Sequence, residues 1–188
     1  MIDPFNPGIV GTIFALSEFA LLLWKRSGAS ARSADSGSLG MLWGVILACL
    51  VLAAMVAIYL PQAHSEMLYR LRAVGAAVFI VGLVLRWYSI FYLGRFFTVN
   101  VAIASDHHVV DSGPYHFVRH PSYTGALLEF IGLGITYANW LALIMVVLPV
   151  LTAFMRRIGI EERALSQALG ERYTHYMART KRLIPGVY

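Results

Sequence analysis

Five long stretches almost without charge divide this chain, and they restrict what it can fold into more than any other feature. They are Gly8 to Trp24, Met41 to Leu60, Ala73 to Leu93, Tyr123 to Asn139 and Trp140 to Met155. As helices at 1.5 Å per residue they reach roughly 24 to 32 Å, close to the thickness of a bilayer's hydrocarbon core. Backbone in hydrocarbon must satisfy its own hydrogen bonds, so apolar runs of this length read as transmembrane helices. Composition agrees: 59% of the 188 residues are hydrophobic and 13% are charged. The expected fold class is all-α and integral to the membrane, with about five spans, and a water-soluble enzyme is excluded.

Cys49 is the single cysteine and lies in an apolar run, so no disulfide framework or CxxC metal site is available. The net charge of +5 comes from basic residues that flank the apolar stretches, which points to membrane topology and not to nucleic acid. Lys25, Arg26 and Arg32 follow the first span, Arg95 and Arg119 lie between the third and fourth, and seven more basic residues run from Arg156 to Arg182. Together these segments hold 12 of the 15 basic residues, whereas the opposite side carries only Arg70 and Arg72. The positive-inside rule therefore puts the N-terminus outside and the C-terminus in the cytoplasm. The first stretch lacks a basic n-region and has Lys25 and Arg26 after it, so it reads as a retained helix and not a cleaved signal.

Gly28 to Leu39, rich in Ser, Ala and Gly, is expected to be a flexible linker. Asn139 and Trp140 are the sole turn and interface signals between the last two spans, which predicts a tight helical hairpin. From Ala164 through Tyr176 the sequence alternates apolar and polar groups at helical spacing, the pattern of an amphipathic helix on a membrane surface.

Polar chemistry concentrates on the predicted cytoplasmic face. The connector from Gly94 to Ser122 holds β-prone pieces at Thr98 to Ile103 and Val109 to Val110, then an Asp111-Ser112-Gly113-Pro114 turn. Pro121 suits the first turn of the fourth span, which leaves His120 at a helix mouth whose free amides can receive an anion. His107, His108, His116 and His120 fall within fourteen residues, and His116 with His120 has the HxxxH spacing of membrane di-iron sites. Against a metal stand the absence of further histidine boxes and Pro121, which breaks any single helical His face. Arg157 and Glu161 share a helix face four residues apart, the spacing of an ordinary surface ion pair. Three ionisable residues sit inside predicted spans, Glu18, Arg86 and Glu129, and such residues are functional suspects. Of these, Glu129 is placed about two turns below His120, where a substrate tunnel would run.

Two motifs carry a resemblance: GPYHFVRHPSYTG from Gly113 to Gly125, and RxxxEE from Arg157 to Glu162, the latter followed by LxxxLGERYxxY and LIPG. Together they resemble the isoprenylcysteine carboxyl methyltransferase family, in the wider group of integral-membrane methyltransferases that includes phospholipid methyltransferases. The resemblance covers roughly Asn100 to Tyr188. It implies one methyltransferase domain, with residues 1–93 as three N-terminal spans and 94–188 as the cofactor-binding core. It also implies S-adenosylmethionine as methyl donor, released as S-adenosylhomocysteine, with no metal.

By the same resemblance, Asn100, His107, His108, Val109, Val110, Tyr115, His120, Pro121, Ser122, Tyr123 and Glu161 surround the cofactor, and Arg157 faces the substrate. The acceptor implied is a lipophilic or prenylated molecule that enters from the bilayer, among membrane lipids, most simply as a carboxylate. An ionised carboxylate needs no general base. A phenol or amine acceptor would, and Glu129 is then the candidate. N-methylation of a phospholipid headgroup and a non-catalytic lipid- or partner-binding role are the alternatives.

Overall fold

The structure is a computed structural model that describes residues 3–24, 37–97 and 108–188, together with the backbone of residues 32–33 and 102–103. Asn100 and His107 lie outside the described residues. The helices are α1 (Pro7–Trp24), α2 (Ser38–Tyr59), the short α3 (Glu66–Arg70), α4 (Arg72–Leu93), α5 (Pro121–Thr136), α6 (Trp140–Leu169) and α7 (Glu171–Arg179). The five expected apolar helices are thus present, with α1, α2, α4, α5 and α6 close to the predicted starts.

Four of them, α1, α2, α4 with its 3-10 extension to Phe96, and α6, are long and apolar enough to cross a membrane. At 16 residues α5 is shorter, roughly 24 Å. It lies against α4, α6 and α1, so its neighbours shield it from lipid. Leucines, valines and isoleucines such as Leu16, Leu47, Ile58, Val81 and Val84 stand exposed on the outer faces, as a hydrocarbon solvent allows.

The closest packing joins α4 to α5 through small residues. A Cβ on Gly132 would sit 2.5 Å from the Gly75 carbonyl oxygen and from the Phe79 nitrogen. One on Gly82 would sit 2.6 Å from the Gly125 carbonyl oxygen. The two glycines on each helix are seven residues apart and form one antiparallel seam that lets the backbones touch. Beside it Phe14, Phe79, Phe130, Val146, Val150 and Phe154 fill the core.

The hairpin between α5 and α6 turns on three residues. Ala138 adopts a left-handed φ of 52°. The Asn139 side chain caps α6 by accepting from the Ala142 amide at 3.0 Å and donates to the Leu60 carbonyl at 3.2 Å. Asn139 therefore also ties the hairpin to the end of α2.

Three expectations need correction. Helix α6 does not stop at Met155 but continues to Leu169, because the residues beyond it are good helix formers and no stop signal occurs before Gly170, at φ 58°. The separate C-terminal helix is the nine-residue α7, shorter than expected, and its apolar face, Tyr173 and Tyr176, is buried against the protein. Finally, the stretch read as a free linker is anchored: Arg32–Ser33 (β1) pairs antiparallel with Ala102–Ile103 (β2), in register Arg32 to Ile103. Val109 and Val110 are not in a strand.

Candidate active site

The C-terminal ends of α1 and α4, the N-terminal ends of α2 and α5, and the second half of α6 converge on one cavity, which α7 covers. The cavity volume is about 150 Å³. One part of the wall is polar and aromatic, with His108, His120, Ser122, Glu161, Tyr115, Tyr173 and Tyr176. The other is apolar, with Phe14, Leu21, Leu42, Ile46, Phe130 and Phe154.

The polar mouth is built on the tight connector. A 3-10 turn over Gly113–His116 begins with Gly113 at φ 56° and buries Tyr115, whose hydroxyl donates to the Ser89 carbonyl at 3.2 Å. The Tyr176 hydroxyl in turn donates to the Tyr115 carbonyl at 2.6 Å, which docks α7 on the turn. Burial, and then the nearby Glu161 charge, hold the Tyr115 and Tyr173 phenols well above the ordinary tyrosine range, so both remain neutral donors.

A buried carboxylate locks the connector to the C-terminal tail. Glu162 accepts from Arg119 Nε at 2.9 Å and from Arg182 Nη2 at 2.7 Å, and its Oε1 lies 3.4 Å from His120 Nε2. Backbone bonds from Arg119 to Lys181 and from His120 to Arg182 stitch the same two segments together. Arg119 also donates to the Met177 and Thr180 carbonyls at the end of α7. Arg182 is held above its already high range, chiefly by its bonds to Glu162.

Adjacent glutamates on a helix point about 100° apart, so Glu162 turns to this lock while Glu161 turns to the cavity. Arg157, one turn earlier, is 3% exposed. Its Nε donates to the Tyr123 hydroxyl at 3.0 Å and its Nη1 to the Ser38 hydroxyl at 2.8 Å, joining α6 to α5 and α2. Arg157 stands where the polar and apolar walls meet, with Tyr123 between it and Glu161.

The structure brings together His108, Val109, Val110, Tyr115, His120, Ser122, Tyr123, Arg157 and Glu161 on this cavity. Two expected residues do not line it. Pro121 occupies the first turn of α5, where its missing N–H costs nothing. Glu129 is fully buried behind the wall, its Oε1 3.9 Å from Arg86 Nε, because α4 packs too closely on α5 for a tunnel to pass between them. The HxxxH pair is also divided, with His116 exposed and His120 4% exposed.

Sequence reasoning missed Arg119, Glu162, Tyr173 and Tyr176. The doubled Glu after a helical Arg and the Tyr pair three residues apart were the available signals. Nor is the cavity confined to residues 94–188, since α1, α2 and α4 supply much of its apolar wall.

The sequence model of the isoprenylcysteine carboxyl methyltransferase (ICMT) family matches residues 73–167. The chain belongs to this family. The match starts inside α4, upstream of the connector motifs. The chain is 34% identical over 115 residues to protein-S-isoprenylcysteine O-methyltransferase B of Arabidopsis thaliana, covering 60% of this chain and 58% of that protein. It is 36% identical over 114 residues to protein-S-isoprenylcysteine O-methyltransferase of Tribolium castaneum, covering 60% of this chain and 41% of the relative. Among solved structures it is similar to the eukaryotic intramembrane Ras methyltransferase ICMT, with a TM-score of 0.63 and 30% identity, over 76% of this chain and 51% of the other. The chain thus spans about half the length of the ICMT relatives it matches.

Proposed function

We propose that this ICMT family member transfers a methyl group from S-adenosylmethionine to the carboxylate of a lipophilic, membrane-embedded acceptor, in the manner of isoprenylcysteine carboxyl methylation. The observation that carries this reading is Arg157, a nearly buried guanidinium at the junction of a polar mouth and an apolar arm. A guanidinium fork matches a carboxylate bidentately, and a lipophilic acid has the same division into charged head and apolar tail.

The cofactor fits the residues present. His120 Nε2 is buried at the mouth, 3.4 Å from Glu162 Oε1 and without a well-aligned hydrogen bond among the described residues, so it can still serve a polar group of the cofactor. Glu161 suits an ammonium, and Tyr115, Tyr173 and Tyr176 offer flat faces to a purine. When bound, S-adenosylmethionine supplies an electrophilic methyl carbon on a sulfonium: a C–O bond forms to the carboxylate as the S–C bond breaks, leaving a neutral methyl ester and a neutral thioether. Arg157 orients the acceptor, Tyr123 and Ser38 hold the guanidinium in place, and the α7 roof excludes water. The acceptor is ionised before it binds, so no proton has to be moved. Methylation of a phospholipid amine would need a group to take that proton, and Glu129 stands behind the wall instead of on it.

The distribution of basic residues supports an N-terminus outside, with the C-terminus and the mouth on the cytoplasmic side. The apolar arm is bordered by α1 and α2, which pack on α5 and α6 respectively, and this supports entry of the acceptor from the bilayer.

Incubation of detergent-solubilised protein with isotopically labelled S-adenosylmethionine and N-acetyl-S-farnesylcysteine is expected to give a labelled, base-labile methyl ester, detected by mass spectrometry. Turnover should be unchanged by a chelator such as EDTA. Absence of ester while S-adenosylhomocysteine still binds would remove carboxyl methylation, and chelator-sensitive turnover would restore a metal to the site. His120→Ala is expected to weaken S-adenosylhomocysteine binding by about 10-fold, read by calorimetry, since one hydrogen bond to a charged group is lost. Unchanged affinity would take His120 out of the cofactor's surroundings.

A further inference from the structure

Where α5 begins, two kinds of unused donor border the polar mouth. The first is the helix end itself. Pro121 has no N–H, the first backbone bond of the helix runs from Thr124 N to the His120 carbonyl at 3.0 Å, and the His120 side chain does not cap it. The amides of Ser122 and Tyr123, residues that line the cavity, are therefore without an acceptor among the described residues.

The second is Arg119, the residue before the helix mouth. Its side chain is 9% exposed and lines the same cavity. Nε donates to Glu162 Oε1 at 2.9 Å and Nη1 to the Met177 and Thr180 carbonyls, which leaves Nη2 without a hydrogen bond among the described residues. A buried charged donor left unmet is costly, so a guanidinium kept in this state points to a ligand that completes it. His120, 4% exposed, likewise has Nε2 without a well-aligned bond, 3.4 Å from Glu162 Oε1. Charge points the same way. Two guanidiniums, Arg119 and Arg182, share the single carboxylate of Glu162, so the lock holds one positive charge in excess beside the positive end of the α5 dipole.

We propose that Arg119, with the amides of Ser122 and Tyr123, forms an anion site that takes the carboxylate at the amino-acid end of S-adenosylmethionine. Glu161, on the same cavity, answers the ammonium beside that carboxylate, so a zwitterion meets one fixed charge of each sign. The acceptor's carboxylate is served separately by Arg157, at the start of the apolar arm. Arg119 also holds the end of α7 through Met177 and Thr180, so a ligand that completes its guanidinium stabilises the roof in its closed position. The assignment rests on S-adenosylmethionine being the methyl donor.

Calorimetry on the full chain in detergent tests it by comparing S-adenosylhomocysteine with its decarboxylated analogue, in which hydrogen replaces the carboxyl group. The unmodified protein is expected to bind the decarboxylated compound about 30-fold more weakly. In Arg119→Gln the two compounds should differ by about threefold or less. A purely structural Arg119 would weaken both compounds equally and keep the ratio. Arg119→Lys leaves a charge for Glu162 and serves if Arg119→Gln does not fold; its single head group should bring the ratio below about 10-fold. A ratio unchanged in a folded variant, or equal affinity for both compounds on the unmodified protein, overturns the anion site and leaves the cofactor reading standing. Competition between N-acetyl-S-farnesylcysteine and S-adenosylhomocysteine that disappears in the variants would give the site to the acceptor and overturn it as well. No saturable binding of S-adenosylhomocysteine would overturn the cofactor reading and the anion site with it.

Discussion

Arg157→Ala is expected to lower methyl transfer by about 100-fold or more while S-adenosylhomocysteine binding stays within about twofold. Glu161→Ala is expected to do the reverse, weakening the cofactor and leaving transfer partly recoverable at high S-adenosylmethionine. The two residues are one helical turn apart, and a structural ion pair between them would make either loss produce the same modest destabilisation. The geometry argues for separate work. Arg157 gives Nε to Tyr123 and Nη1 to Ser38, which fixes the guanidinium at the boundary of the two walls, while Glu161 turns toward the tyrosines of the mouth. Arg157→Lys should rescue poorly, because an ammonium cannot hold Tyr123, Ser38 and both oxygens of a carboxylate from one planar fork. Steady-state kinetics paired with calorimetry on the three variants decides the matter. Equal, small losses in both alanine variants would return the pair to a helix-end salt bridge.

Much of this site was legible in the order of residues, for identifiable reasons. His120 and Pro121 announce a helix mouth because Pro fits only the first turn, and the structure puts them there. The five apolar helices follow from length alone. What sequence could not reveal is which partners long-range packing assigns. The spacing of Arg157 and Glu161 suggests a local pair only, yet Arg157 also reaches α5 and α2 through Tyr123 and Ser38, 34 and 119 residues away. Glu129 was expected to line a tunnel but turns to Arg86 behind the wall, since its face is set by the α4 seam and not by distance along α5. Amphipathicity says that one face of the C-terminal helix is covered but not by what; here Tyr176 docks on the Tyr115 carbonyl of the connector, with Tyr173 buried beside it.

That seam supports the second large effect. Gly132→Leu is expected to destabilise the fold by about 3 kcal/mol or more, because the new side chain begins 2.5 Å from the Gly75 carbonyl oxygen and the Phe79 nitrogen. Those neighbours are backbone and cannot rotate aside as a side-chain end could. Relief requires α4 and α5 to move apart, and Gly125, on the same seam, sits against the backbone of Arg86. Separation of the helices would therefore also shift Arg86 and loosen the helix that starts at His120. Gly159→Ala is the control, since a Cβ there meets nothing within 4 Å and replaces a helix-interior glycine, worth up to about 1 kcal/mol in the stabilising direction. Thermal unfolding in detergent should separate the two variants in opposite directions from the parent. A Gly132→Leu protein as stable as the parent would mean that α4 and α5 are not held at backbone contact, and the depth and direction assigned to Glu129 and Arg86 would fall with it.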